Sequence, residues 1–201
     1  MARPKGKGKG GYGAKGHRRQ MTLINDDQYL DHPLCKLWKN PPKDTIDLVF
    51  AASPPQNRGN LFLTSITALK GSAGLEAIKS RNITRIVSMG VDCGCEQPSL
   101  KDIILFVNIE DTVDAMNDLD KHLNKAYEWI HGELSNPNGG SVLVHCRQGI
   151  SRSVSVVCYY LMKRYQITAI MALARVKKSR QKADPNKGFF KILQLRDPKE
   201  I

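Results

Sequence analysis

Short apolar runs alternate with stretches of helical periodicity along most of this chain. Thr84 to Met89, Ile103 to Val107 and Ser141 to Val144 are brief apolar runs of the kind that form buried strands. Leu61 to Leu63 starts the core, and Thr45 to Phe50 reads as an edge strand that Pro54-Pro55 interrupts. Short helices are predicted near Ser65 to Leu69 and over Leu75 to Arg81. Val113, Met116, Leu119, Leu123, Ala126, Ile130 and Leu134 recur at helical spacing, which predicts one long amphipathic helix from Val113 to Leu134. Asn136-Pro137-Asn138-Gly139-Gly140 ends it and turns the chain into the next strand. Further helices are expected over Val154 to Leu161, Ala169 to Ser179 and Lys187 to Leu195. Strands alternating with helices predict an α/β fold of three layers, with a mainly parallel central sheet flanked by helices.

The stretch His145-Cys146-Arg147-Gln148-Gly149-Ile150-Ser151-Arg152-Ser153 lies between a predicted strand and a predicted helix. A strand, a tight loop and a helix N-terminus together hold phosphate, because successive backbone N–H groups point inward and the helix dipole adds partial positive charge. A cysteine placed there loses its proton readily, with the dipoles and Arg152 stabilising the thiolate. Cys146 is therefore the candidate nucleophile. Arg152 offers a planar fork for two phosphoryl oxygens. Gly149 lets the backbone turn and approach those oxygens closely. Cys158 and Arg164 repeat the same spacing, but inside a helix and without a glycine, and carry no such expectation.

This nonapeptide resembles the signature loop of cysteine-based protein phosphatases, most closely the dual-specificity branch. The resemblance runs over about residues 46 to 198. Leu61-Phe62-Leu63-Thr64-Ser65 and Ile83 to Met89 resemble the family's first two core strands. Ile109-Glu110-Asp111-Thr112 resembles the segment that carries its general acid. Tyr160-Leu161-Met162 matches part of an Ala-Tyr-x-Met helix motif, with Tyr159 where alanine is usual, and Pro185-Asn186-Lys187-Gly188-Phe189 matches a Pro-Asn-x-Gly-Phe motif.

The resemblance implies metal-independent hydrolysis of phosphotyrosine and phosphoserine/threonine in proteins, through a cysteinyl-phosphate and with no cofactor. It implies that Asp111 is the general acid, with Asp114 and Glu110 as competitors, and that Ser153 hydrogen-bonds the leaving thiolate. His145 is expected to order the loop through its ring. Arg147, Gln148, Gly149, Ile150, Ser151 and Arg152 are the expected phosphate-loop contacts, with Arg147, Gln148 and Ile150 on its variable side. Asn186 is assigned no chemistry and Phe189 is expected in the core.

Composition adds a second theme. The net charge is +12, and residues 1–20 carry Arg3, Lys5, Lys7, Lys9, Lys15, Arg18 and Arg19, six glycines and no acid. The chain thus divides into a basic Gly/Lys-rich disordered tail over 1–20, an irregular arm over 21–45 and a catalytic domain over 46–198. The tail raises an alternative: an RNA- or ribosome-associated factor with secondary phosphatase activity, making weak RNA or acidic-surface contacts. A second alternative is a phosphatase acting on a phosphoinositide or an RNA 5′ phosphate. Lys177, Lys178, Arg180 and Lys182 form a basic cluster, expected as a solvated face, with an anionic-substrate surface as the competing reading.

Five scattered cysteines do not form a disulfide framework, and Cys93-Gly94-Cys95 lacks a second ligand pair for zinc. Two ordinary loop cysteines is the simpler account of that pair, a redox partner for Cys146 the sharper one. No run of 18 apolar residues predicts a membrane span, and residues 1–20 lack the apolar centre of a secretory signal. Cytoplasm, nucleus or both is the expected location. Oligomeric state has no signal.

Overall fold

A computed structural model of the 201-residue chain describes residues 45–52, 59–91 and 102–196. The tail, nearly all of the 21–45 arm, Pro54-Pro55 and the Cys93/Cys95 pair lie outside the described residues.

Five strands form one sheet in the order β1-β2-β5-β3-β4. They are β1 (Asp47–Phe50), β2 (Leu61–Ser65), β3 (Ile83–Met89), β4 (Ile104–Val107) and β5 (Ser141–Cys146). Only β1 runs antiparallel, at the edge beside β2; the other neighbours are parallel. β5 is central and fully buried, which is why its sequence shows no polar alternation.

The two faces are still distinct, because successive side chains point to opposite sides. Leu61, Leu63, Val87, Met89, Val142 and Val144 join the larger core. Phe62, Ile83, Ile86 and Leu143 join a smaller one, covered by the 3₁₀ turn Ile66–Leu69 and helix α1 (Gly71–Ser80). The larger core is covered by α2 (Met116–Ser135), α3 (Arg152–Tyr165), α4 (Ala169–Ser179) and α5 (Lys187–Leu195). Three layers result, as the alternation of strands and helices predicts.

Several element boundaries depart from the expected ones, three of them with a physical reason or consequence. Helix α1 begins four residues before Leu75, across Gly71 and Gly74, which discourage a helix assignment. Gly74 is there for contact: an added Cβ would lie 2.2 Å from the Leu69 backbone. Helix α3 extends to Tyr165, beyond Leu161. Helix α2 starts at Met116 rather than Val113, because residues 111–115 form turns. The Val113 carbonyl packs against Gly188, where a Cβ would stand 2.3 Å away.

Two polar links tie α2 to its neighbours, one to the sheet and one to α3. Buried Glu133 of α2 accepts hydrogen bonds from Thr84 Oγ1 (2.6 Å) and Gly140 N (2.8 Å), and pairs with Arg85 Nε at 2.9 Å. Tyr159, standing where alanine is usual, donates its hydroxyl to Asn124 Oδ1 (2.6 Å) and joins α3 to α2.

Candidate active site

Strand β5 ends on Cys146, beside the end of β2, where Ser65 is its register partner. The loop that follows returns the chain at once into α3. Gly149 makes this turn with φ +66°, and an added Cβ would come within 2.5 Å of both Arg180 Nη2 and the Thr64 carbonyl. A side chain is thus barred twice, by conformation and by space.

The Cys146 side chain is 1% exposed. Its Sγ accepts hydrogen bonds from Gly149 N (3.2 Å) and Ser153 Oγ (3.1 Å). Burial pushes the thiol pKa up, but the Ser153 hydroxyl and the backbone N–H groups of Ser153, Gly149 and Ile150 outweigh it and hold the pKa below the ordinary thiol value. The lowering comes from these hydrogen bonds. Cys158, the other member of the Cys-x5-Arg pair, is fully buried, and burial alone pushes its thiol strongly up.

Helix α3 opens without a side-chain cap. The hydroxyl of Ser151 turns instead to Asp111, donating to Oδ1 at 2.6 Å. The first-turn N–H groups of α3 thereby remain on the loop side as anion donors. The Ser151 side chain thus belongs to the Asp111 network.

Arg152 is 8% exposed and directed across the loop. Its Nη1 donates to the carbonyls of Ile109 (3.2 Å) and Gly90 (3.4 Å), and its Nε stands 3.5 Å from Asp111 Oδ2. That Nε is buried and makes no hydrogen bond. Gly90 permits the placement, since its φ is +67° and a Cβ would fall 2.1 Å from Arg152 Nη1.

His145 is fully buried between β2 and β3, its Nε2 2.6 Å from Ser88 Oγ on β3. It anchors the base of the loop. Arg147 and Gln148 are exposed on the outer side and Ile150 is half-buried, while the Ile150 carbonyl accepts from Asp184 N at 2.8 Å.

Asp111 stands opposite Cys146's loop, its side chain about one-third exposed (35%). Besides Ser151, its Oδ1 accepts from Asn186 Nδ2 at 2.9 Å. Asn186 also donates to the Thr112 carbonyl (3.3 Å), and its backbone N–H donates to Ser151 Oγ (3.0 Å). Its Oδ1 caps α5 by accepting from Phe189 N (2.9 Å). Asn186, left without a role by its sequence, fastens the acid segment to the phosphate loop. Asp114, expected at the start of α2, lies in the turn ahead of it.

Arg180 corrects the expectation of a solvated basic face. It is 3% exposed and forms a buried ion pair with Asp47. It also donates to two loop carbonyls, Gly149 through Nε (2.6 Å) and Gln148 through Nη2 (3.0 Å). Holding those carbonyls outward turns the neighbouring N–H groups inward. No local pattern points to this pair, because its members come from an edge strand and a late loop.

Among the described residues no cluster of three or more His, Cys, Asp or Glu side chains is placed to hold a metal ion. No helix of the described residues is long and apolar enough to cross a membrane.

The family profile "Dual specificity phosphatase, catalytic domain" matches residues 67–197. Dual specificity protein phosphatase 1 of Arabidopsis thaliana is 35% identical over 136 residues, which cover 67% of this chain and 64% of the relative. Dual specificity protein phosphatase 1B of the same plant is 33% identical over 134 residues, covering 67% of this chain and 75% of the relative. The chain thus spans just under two thirds of the first relative's length. Among solved structures, human DUSP28 superposes with a TM-score of 0.60 at 27% identity, over 79% of this chain and 95% of that one. DUSP15 does so with a TM-score of 0.57 at 31% identity, over 67% and 81%.

Proposed function

The chain belongs to the dual-specificity phosphatase family, and on that premise we propose that it hydrolyses phosphotyrosine and phosphoserine/threonine in proteins through a cysteinyl-phosphate. The observation that carries the reading is the pair of donors on Cys146 Sγ together with the buried Nε of Arg152, which makes no hydrogen bond.

The phosphoryl group sits in the loop, its oxygens taken by the inward N–H groups and by the Arg152 fork. Cys146 Sγ attacks phosphorus as a thiolate, an S–P bond forms and the P–O bond to the leaving group breaks. The departing oxygen takes a proton from Asp111. Oδ1 of Asp111 already accepts from Ser151 and Asn186, so Oδ2 carries that proton. Water then attacks phosphorus, Asp111 removes its proton, and the S–P bond breaks. The returning thiolate is received by the Ser153 hydroxyl and the Gly149 N–H. A thiolate nucleophile of this kind works in a reducing compartment, which supports cytoplasm or nucleus.

Ranked kcat/KM on phosphopeptides, a soluble inositol phosphate and a 5′-phosphorylated RNA tests the substrate class. Phosphopeptides are expected first. Faster turnover of either of the others overturns the assignment.

A further inference from the structure

The sheet ends on an open strand. β4 pairs with β3 on one side and has no strand on the other among the described residues. The Gly90 N–H donates to the Val107 carbonyl at 2.7 Å, so the Val107 backbone faces β3. Backbone direction alternates along a parallel strand. Leu105 therefore faces β3 as well, while the N–H and C=O groups of Ile104, Phe106 and Asn108 face outward. Phe106 also presents its ring. It lies on the same sheet face as Ile104, which packs on the smaller core, yet it is 50% exposed. Lysine, proline and bulges are common ways to blunt such an edge, and β4 carries none of them.

The charge along this edge is the reverse of the chain's. The chain carries +12, yet every charged residue from Asp102 to Asp114 is an acid: Asp102, Glu110, Asp111 and Asp114. Asp102 and Glu110 flank β4, are exposed, and make no ion pair among the described residues. This pattern decides what fits the edge. Pairing β4 with a second copy, Phe106 opposite Phe106, sets Asp102 of one against Glu110 of the other at both ends. Like charges directly opposite destabilise a strand pair. A strand with apolar residues at its centre and lysine or arginine at its ends instead meets Phe106 with the one and both carboxylates with the other.

Resting on the phosphatase reading of the phosphate loop, we propose that the outer edge of β4 is a docking site for an extended segment of the protein substrate, apolar at alternate central positions and basic at both ends. The segment lengthens the sheet by one strand. Backbone hydrogen bonds to Ile104, Phe106 and Asn108 give it affinity; Phe106 and the two flanking acids give it selectivity. The location favours a substrate over other partners. β4 leads into Ile109, whose carbonyl holds Arg152, and on to Asp111. At ~3.3–3.6 Å per residue, Asn108 is at most about 11 Å of chain from Asp111. A strand seated there ends at the rim of the site, and the phosphoresidue of the same protein is then presented as a tethered group.

The test uses the full chain and a synthetic probe, a strand of alternating valine and threonine with lysines at each end, joined by a series of glycine linkers to a phosphotyrosine. At the best linker length kcat/KM should exceed that of the phosphotyrosine and linker alone by about tenfold, through KM with kcat unchanged. A probe with glutamates at its ends, or with a proline at the centre of its strand, should lose the gain. Phe106→Lys should abolish it and Asp102→Lys should at least halve it, while both variants turn over a small aryl phosphate within about twofold of wild type. Equal rates with and without the strand at every linker length, or a gain that survives both substitutions, overturns the docking edge. A larger gain for the acid-ended probe overturns the charge argument. Absence of aryl phosphate turnover by the wild type would instead overturn the phosphatase reading. Fluorescence anisotropy of the unphosphorylated strand with wild type and Phe106→Lys then still decides the edge. A dimer in sedimentation that Phe106→Lys abolishes, or displacement of the strand by a tighter-binding peptide of the chain's own residues 15–24, overturns the choice of partner.

Discussion

Arg180→Met should uncouple two things that the wild-type residue does at once. The guanidinium neutralises buried Asp47 and holds the carbonyls of Gly149 and Gln148. Removing it leaves a buried carboxylate unpaired, at a cost of about 3–5 kcal/mol. At roughly 2–4 °C per kcal/mol for a chain of this size, Tm should fall by about 6–20 °C. The loop carbonyls also lose their donors, and a loop that shifts by an ångström loses on the order of 10²-fold in rate. Arg180→Met/Asp47→Leu separates the effects. An apolar pair replacing a buried ion pair is often neutral in stability, so most of the Tm should return. The rate should not, because no donor reaches Gly149 or Gln148. Thermal unfolding and kcat/KM on an aryl phosphate, measured well below each Tm, check this. A double variant that regains stability and turns over like the wild type would show that the loop keeps its shape without Arg180.

Cys146→Ser should leave less than about 1% of activity, since a serine hydroxyl does not ionise in this loop, whereas Cys158→Ser should remain active; the reverse pattern in turnover assays would exchange their roles. Asp111→Asn should lower kcat by roughly 10²–10⁴ for alkyl phosphates and much less for an activated aryl phosphate; equal losses on both would refute proton donation. Asn186→Ala should reproduce that leaving-group dependence in weaker form, and should also destabilise α5 by about 0.5–2 kcal/mol through its lost cap; denaturation and kinetics together separate the two. Ser153→Ala removes a hydrogen bond that lowers the Cys146 pKa, so the thiol should ionise at higher pH. Because the thiolate is the active form, the acidic limb of kcat/KM against pH should then move to higher pH, after correction for the substrate's own ionisation near 6. An unmoved acidic limb would mean that another group controls it.

Local pattern carried the chemistry of the phosphate loop because that loop is one continuous segment. Its strand, glycine and helix start lie within ten residues of one another, so the nucleophile and its donors were legible together. Asn186 was legible only as a motif position. Its contact with Asp111 joins residues 75 apart in sequence, and nothing local records it. The cysteine pair at 93 and 95 and the basic tail lie outside the described residues, and their readings stand as expectations.

The sequence by itself determined the layers and singled out the candidate nucleophile, because periodicity and turn chemistry act over a few neighbouring residues. Tertiary structure alone decided where the long-range charges went. Arg180 reads as one more surface cation, yet the fold buries it on Asp47, 133 residues away, and sets it under the phosphate loop. Lys182, two residues later, stays exposed. The two differ by which side of the chain meets the sheet edge. That choice depends on how a whole helix packs, and no sequence window contains it.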